Sequence, residues 1–335
     1  MGAEILHGPV DLSLLWKEIL VLSNLRPRES VVVLDRKAKP SPYARVAVEA
    51  AEAVAAKVSY LEIADSHLLP DSALAAVRRG DLLLDLAFCH DQRMMKSLGD
   101  GLRILVAVEP AEILARMFPT LEDKRRCTAG KLRLAGASSM RVVSDVGTDF
   151  TVSLGEFRAS CQFGFSEDPG RWDQWPGAFV YTYPNEGSAS GAVVLDRGDM
   201  LFPIKSYVQS PVRFAVRNGY ITEIDGGSDA RQLADIFKSY DDPEVYAIAH
   251  LGWGLSHNAR WDALEMYDRT DIEGQDGRAF YGNFLFSTGP NLYGGGKRDT
   301  PCHIDIPMRN CSLFLDGKPI VVKGEVVPAD QKFLS

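Results

Sequence analysis

The run Asp81-Leu82-Leu83-Leu84-Asp85-Leu86-Ala87-Phe88 is apolar on both faces, without the alternation that one solvated face would impose. A strand of that texture has to be covered on both sides. Residues 30–34, 58–63 and 103–109 repeat it, and helical patterns at 12–25, 42–58, 71–79 and 110–118 separate the runs. Strands alternating with helices imply an open α/β layer with a parallel sheet.

Beyond about residue 130 the texture changes. Residues 133–154, 192–196, 212–225, 283–287 and 312–327 read as strands that alternate and are punctuated by Gly, Asn-Gly, Asp-Gly and Pro turn signals. Phe314-Leu315-Asp316-Gly317-Lys318-Pro319-Ile320-Val321 reads as a hairpin, and 229–240 as the one clear helix. The expected organisation is an α/β N-terminal domain with a parallel sheet over 1–130, and an α+β, β-rich antiparallel domain over 131–335.

A chain of 335 residues with 37 Lys plus Arg against 45 Asp plus Glu carries a net charge of −8 and no basic block. That gives no footprint for a phosphate backbone, so nucleic acid is not expected as a partner. The apolar stretches are broken by charge long before the roughly 20 residues of a membrane span. The N-terminus shows no basic-then-apolar leader, and Leu6 stands where a myristoylation signal needs Ser or Thr. A cytoplasmic protein is expected. Five cysteines, none in Cys-x-x-Cys spacing, point to reduced, buried thiols and exclude all-cysteine structural zinc.

Common cofactor and nucleophile motifs are missing. Gly294-Gly295-Gly296-Lys297-Arg298 has neither the spacing nor the leading strand of a phosphate loop, and Gly187-Ser188-Ala189-Ser190-Gly191 puts Ala where a nucleophile elbow needs Ser. The six histidines remain. His303 and Asp305 lie two apart in Thr300-Pro301-Cys302-His303-Ile304-Asp305-Ile306-Pro307-Met308. On an extended strand they share a face while Ile304 and Ile306 point into the core. The spacing fits metal ligation, and it fits equally a histidine hydrogen-bonded to a carboxylate at a sheet surface. His250, in Ala247-Ile248-Ala249-His250-Leu251-Gly252-Trp253-Gly254, ends an apolar run and fits a ligand or a satisfied core histidine. If the three converge, they form the two-histidine, one-carboxylate set of non-haem Fe(II) oxygenases. His257 reads as a loop residue, and His7 and His67 as surface residues.

From these segments onward the chain resembles the thermophilic-type, two-metal leucyl aminopeptidases over about residues 130–325. The resemblance rests on Val146-Gly147-Thr148-Asp149-Phe150, Trp175-Pro176-Gly177-Ala178-Phe179-Val180-Tyr181, the His250 segment, Gly282-Asn283-Phe284-Leu285-Phe286-Ser287-Thr288-Gly289 and the His303 segment, in that order. The departures matter. His250 replaces a metal-binding Glu, Ala178 or Phe179 stands where Glu follows Pro-x-Gly, and Phe284 or Leu285 stands where His is expected. A second metal loses its ligands. What remains is similar to the 2,5-dihydroxypyridine 5,6-dioxygenases, which share this scaffold. That resemblance implies one Fe(II) held by His250, His303 and Asp305, an extradiol-like opening of the C5–C6 bond with O₂, and N-formylmaleamic acid as product. It also implies a homo-oligomer and a small aromatic N-heterocycle as substrate.

His90, at the end of a strand in Leu86-Ala87-Phe88-Cys89-His90-Asp91, is the candidate base for the substrate hydroxyl, since a neutral imidazole suits that task near pH 7. It also fits a capped loop residue. Arg278, Ser287 and Glu186 are candidate substrate-orienting groups. Trp172, Trp175 and Trp253 fit an aromatic wall or the core. The alternative function is a metallo-aminopeptidase of the leucyl type with an altered metal site.

Overall fold

Strands buried on both faces form the centre of a parallel sheet, whereas Lys57–Ile63, expected to be such a run, is half-buried or exposed except at Ile63 because it lies at the sheet's edge. The computed structural model describes residues 11–64 and 67–333, and His7 lies outside them. The sheet runs in the order Lys57–Ile63, Ser30–Arg36, Leu82–Asp85, Arg103–Ala107, Trp172–Trp175, every neighbouring pair parallel. Val31–Leu34, Leu82–Leu84 and Ile104–Ala107 are buried throughout. Helix Leu12–Leu22 buries Trp16, Ile19 and Leu20, and Ala44–Glu52 packs an alanine face of Ala44, Ala47, Ala50 and Ala51. Helices Asp71–Val77 and Ala111–Arg116 complete the expected set.

The decisive run is shorter as a strand than its apolar length. Leu82–Asp85 is extended, and then the fully buried Asp85 carboxylate accepts the backbone N–H of Ala87 at 2.9 Å and of Cys89 at 2.7 Å. Those bonds turn the chain out of the sheet. Burial pushes the Asp85 carboxyl up to about 6 against the two N–H groups that lower it. Because its folded value lies above the unfolded one, the folded state holds the proton more tightly. Stability from this group is therefore full below about pH 4 and lost as pH rises to about 6, by roughly 3 kcal/mol. Thermal midpoints taken between pH 4 and 7 should fall more in the wild type than in Asp85→Asn, and parallel curves would refute the assignment.

Contacts gather the chain into two units. The first comprises the described residues up to Pro119 with Phe163–Gly177, and the second Thr120–Gln162 with the described residues from Ala178 onward. The sequence places one division at 130/131, whereas this grouping puts helix Leu121–Ala135 wholly in the second unit and returns Trp172–Trp175 to the first. Trp175 is core rather than a site wall: it donates from Nε1 to the Leu114 carbonyl at 3.0 Å and meets Trp16 edge-on at 5.2 Å. Trp172 packs on the same sheet's apolar core.

The second unit is antiparallel. An eight-stranded sheet runs Tyr220–Gly226, Val212–Arg217, Ser190–Leu195, Asp149–Ser153, Ser139–Val143, Ser312–Leu315, Lys318–Val322, Glu325–Val326. A five-stranded sheet runs Ile304–Met308, Phe284–Thr288, Ile248–Gly254, Phe179–Thr182, Ser160–Gln162. Phe150 and Phe214 of the larger sheet meet Phe286 of the smaller at 5.9 and 6.2 Å, which fixes their buried faces together. The expected hairpin is present: Asp316 and Gly317 take φ of 46° and 76° between Ser312–Leu315 and Lys318–Val322. Helix Leu121–Ala135, capped by reciprocal Thr120–Asp123 bonds, and helix Ser228–Ser239 complete the unit. Where the sequence extends a strand back to 133, the chain is still helical to Ala135.

All five cysteines are buried. Among the described residues no helix is long and apolar enough to cross a membrane.

Candidate metal centre

The smaller sheet brings three side chains to one point. His250 lies in Ile248–Gly254, Asp305 in Ile304–Met308, and His303 immediately before it; Phe284–Thr288 runs between those strands and pairs Ser287 with Asp305. As the period-two reading requires, Ile304 and Ile306 are buried in the core. His250 Nε2 is 3.0 Å from Asp305 Oδ1, His303 Nε2 is 3.2 Å from the same oxygen, and the two Nε2 atoms are 3.2 Å apart. Among the described residues this is the cluster of His, Cys, Asp and Glu fit to hold an ion.

Protonation follows from the partners. His303 Nδ1 faces the Thr288 carbonyl at 2.9 Å, so that nitrogen carries a hydrogen, and in the neutral ring Nε2 presents its lone pair to the cluster. Burial pushes His250 down, outweighing the attraction of Asp305, and keeps it neutral near pH 7. Burial alone would also lower His303, but the Asp305 charge carries it above its ordinary value. Burial alone would raise Asp305, yet His303, Arg278 and His250 together hold its carboxyl well below the usual range. Asp305 Oδ1 is buried and faces the two imidazole nitrogens.

With both Nε2 atoms unprotonated, two lone pairs and a carboxylate oxygen would converge on one point, an arrangement that a cation between them would stabilise, so the residues fit a metal ion. Their spacing is informative as well. Ligands about 2.1 Å from an ion stand about 3.0 Å apart at right angles and about 3.4 Å apart in a tetrahedron. The observed 3.0–3.2 Å lies within that range, so one ion could be held by all three side chains.

The other candidates fall out differently. Arg278, on the short helix Gln275–Ala279, donates from Nε to Asp305 Oδ2 at 2.6 Å and from Nη1 to the Glu273 carbonyl, with its guanidinium over the Phe202 ring. It thus fixes the Asp305 carboxylate, a contact the sequence did not suggest. Ser287 is fully buried, and its hydroxyl donates to the His250 carbonyl at 2.8 Å, tying the two strands. Glu186 is 51 % exposed and pairs with Arg298 at 3.0 Å, while Arg298 donates to the carbonyls of Gly289 and Ile248. It anchors the 291–298 loop from outside.

His257 stacks on Phe333 at 3.6 Å and faces Arg126; partial burial and that charge lower it. Trp253 is core and donates to Gln331 at 3.0 Å. His90 lies in the parallel-sheet unit. Asp91, not His90, caps the helix that follows, and it also accepts the Leu69 N–H at 2.8 Å. The half-buried His90 ring sits between Phe88 at 4.5 Å and the exposed His67 at 5.6 Å.

Tyr181 and Tyr183 were not singled out by sequence. Both rings stand edge-on to His250, at 5.4 and 5.9 Å. Burial, with the charges of Tyr181 and Asp305, raises the Tyr183 phenol well above its ordinary value, so it stays protonated. The available signal was Tyr-x-Tyr, two residues of one strand face, on the segment that pairs with the His250 strand.

Fold and site define a class: an aminopeptidase-like scaffold with, among the described residues, one cluster of two histidines and one carboxylate. The family model described as 2,5-dihydroxypyridine 5,6-dioxygenase matches residues 11–328, and the chain belongs to that family. It is 43 % identical over 340 residues to the 2,5-dihydroxypyridine 5,6-dioxygenase of Pseudomonas putida KT2440, covering 96 % of this chain and 97 % of that protein. A solved structure of the dihydroxypyridine dioxygenase from Pseudomonas putida KT2440 superposes with a TM-score of 0.92 at 41 % identity, over 97 % of this chain and all of that one. Wild-type AmpT from Thermus thermophilus shares the fold at a TM-score of 0.64 and 13 % identity, over 95 % and 99 % of the two chains.

Proposed function

We propose that this chain is an Fe(II)-dependent, extradiol-like dioxygenase that opens 2,5-dihydroxypyridine, or a close hydroxypyridine analogue, between C5 and C6 to give N-formylmaleamic acid. Both atoms of O₂ enter the product, so substrate plus O₂ balances without a further reductant. The observation that carries the reading is the triangle of His250 Nε2, His303 Nε2 and Asp305 Oδ1, with 3.0–3.2 Å sides and an ionised carboxylate. Two imidazoles and one carboxylate suit Fe(II), and a set of only three protein ligands would leave positions for a substrate and O₂. When bound there, Fe(II) supplies a Lewis-acidic, redox-active centre that lets an electron-rich ring and triplet O₂ exchange electrons.

The chain's own residues supply the rest. Arg278 holds the Asp305 carboxylate in one orientation, and the Thr288 carbonyl does the same for the His303 ring. Tyr181 and Tyr183 give His250 an aromatic surround on one side. We assign to His90 the removal of the substrate hydroxyl proton at its ring nitrogen. Its support is local: a loop fixed by Asp85 and Asp91 on either side holds the imidazole half-buried. The peptidase alternative lacks its groups, since Ala178, Phe284 and Leu285 are buried hydrocarbon where that chemistry needs Glu and His.

The test is anaerobic Fe²⁺ reconstitution followed by O₂ uptake with 2,5-dihydroxypyridine. Wild type should consume one O₂ per substrate and His250→Ala should consume almost none. Undiminished uptake by the variant would overturn the ligand assignment. Hydrolysis of leucine anilides with Zn²⁺, and no O₂ uptake with Fe²⁺, would replace the dioxygenase by the peptidase.

A further inference from the structure

Tyr183 is buried to 4 % exposure, yet its hydroxyl makes no hydrogen bond among the described residues. Nor is that hydroxyl among the fully enclosed polar atoms without a partner, so it opens on accessible space. Buried tyrosine hydroxyls ordinarily find a protein partner. This one stands on the ring that meets His250 edge-on at 5.9 Å and 84°, and near enough to Asp305 for the carboxylate charge to bear on it. Arg298, whose charge bears on the phenol, is already committed to the carbonyls of Gly289 and Ile248 and to Glu186.

The ring has little freedom to turn elsewhere. A Cβ at Gly294 would lie 2.4 Å from Tyr183 Cδ2 and 2.7 Å from Cε2, so the short helical turn Leu292–Gly294 lies directly against the ring. Its strand is fixed too, with Thr182 paired to Leu251, one residue beyond His250. A fixed donor without a protein acceptor, beside the ligand cluster, fits a ligand oxygen.

Resting on the reading above, we propose that the Tyr183 hydroxyl donates a hydrogen bond to one ring oxygen of the hydroxypyridine bound at the His250–His303–Asp305 cluster and so fixes which way round the ring lies. It is a substrate-contacting residue, and Gly294 is the position that holds it in place.

The experiment is an anaerobic titration of the Fe²⁺-loaded protein with 2,5-dihydroxypyridine, 2-hydroxypyridine and 3-hydroxypyridine, followed by the ligand's ultraviolet absorption. Tyr183→Phe keeps the ring and removes only the donor. It should weaken binding of 2,5-dihydroxypyridine about fivefold, the worth of one neutral hydrogen bond, with Fe²⁺ affinity unchanged. The same loss should appear with one monohydroxypyridine and vanish with the other, which lacks the contacted oxygen. Gly294→Ala, which keeps the phenol but displaces it, should show the same pattern. Equal affinities of wild type and Tyr183→Phe, or an equal loss for all three ligands, would overturn the proposal. Failure of the wild type to bind any hydroxypyridine would instead overturn the substrate reading on which it rests.

Discussion

Asp305→Asn should lose more than about 100-fold in kcat/KM for 2,5-dihydroxypyridine and bind Fe²⁺ at well below one ion per chain. The substitution keeps shape and volume, so the effect comes from one atom. Arg278 Nε donates to Oδ2 at 2.6 Å, which demands an acceptor there. An amide in this place must therefore leave its oxygen on Arg278 and turn its NH₂ to the position of Oδ1, 3.0 Å from His250 Nε2 and 3.2 Å from His303 Nε2. Two N–H donors then face the two lone pairs and satisfy them, and the cluster closes without a cation. Loss of an outer partner of a metal ligand costs roughly 10–100-fold, so loss of a ligand together with its charge should exceed that. Iron content by chelator colorimetry and O₂ uptake check the expectation. A variant that keeps one iron per chain and activity within tenfold of wild type would remove Asp305 from the ligand set.

Parts of this architecture could be read directly from residue order. Continuous apolar runs such as Leu82–Leu84 reported a parallel sheet because nothing else buries both faces of a strand. Asp316-Gly317 reported a hairpin because few residues tolerate two successive positive φ values. His303 and Asp305 reported a shared face by their spacing alone. Helix Leu121–Ala135 was hidden because its buried face includes Asp123, Arg126 and Gly130, so its apolar periodicity is weak. Arg126 can be buried there only because Asp123 pairs with it and Phe333 covers it, and Phe333 comes from the far end of the chain. Trp172–Trp175 was hidden because a four-residue strand with Asp and Gln at its centre carries no texture. Its Asp173 is buried by capping Phe163 and Gly164. Arg278 was placed near the site by sequence without its contact to Asp305, since a contact across 27 residues depends on the sheet and not on local pattern.

Arg278→Met follows from that contact and carries the second large effect. Met roughly matches the buried length of Arg and keeps packing against Phe202, but it leaves Asp305 Oδ2 without its donor in a buried site. Breaking a buried pair by removing one partner costs roughly 3–5 kcal/mol, because the remaining charge stays uncompensated. The sign of the pH effect follows. In the wild type Asp305 titrates well below its unfolded value, so the stability it contributes is present above about pH 4 and is lost only as pH falls through that depressed value. Without Arg278 the opposing burial weighs more, the carboxyl rises, and metal-free protein should unfold at higher pH on acidification than metal-free wild type. Added Fe²⁺ should recover part of the difference, since a cation at Oδ1 replaces the lost charge. Arg278→Lys should fall between the two, having one charge but no planar fork to reach both Asp305 and the Glu273 carbonyl. Acid titrations of the three proteins, with and without metal and read by circular dichroism, check this. Coincident midpoints for the metal-free wild type and Arg278→Met would mean that Arg278 does not hold the ligand carboxylate in its ionised form.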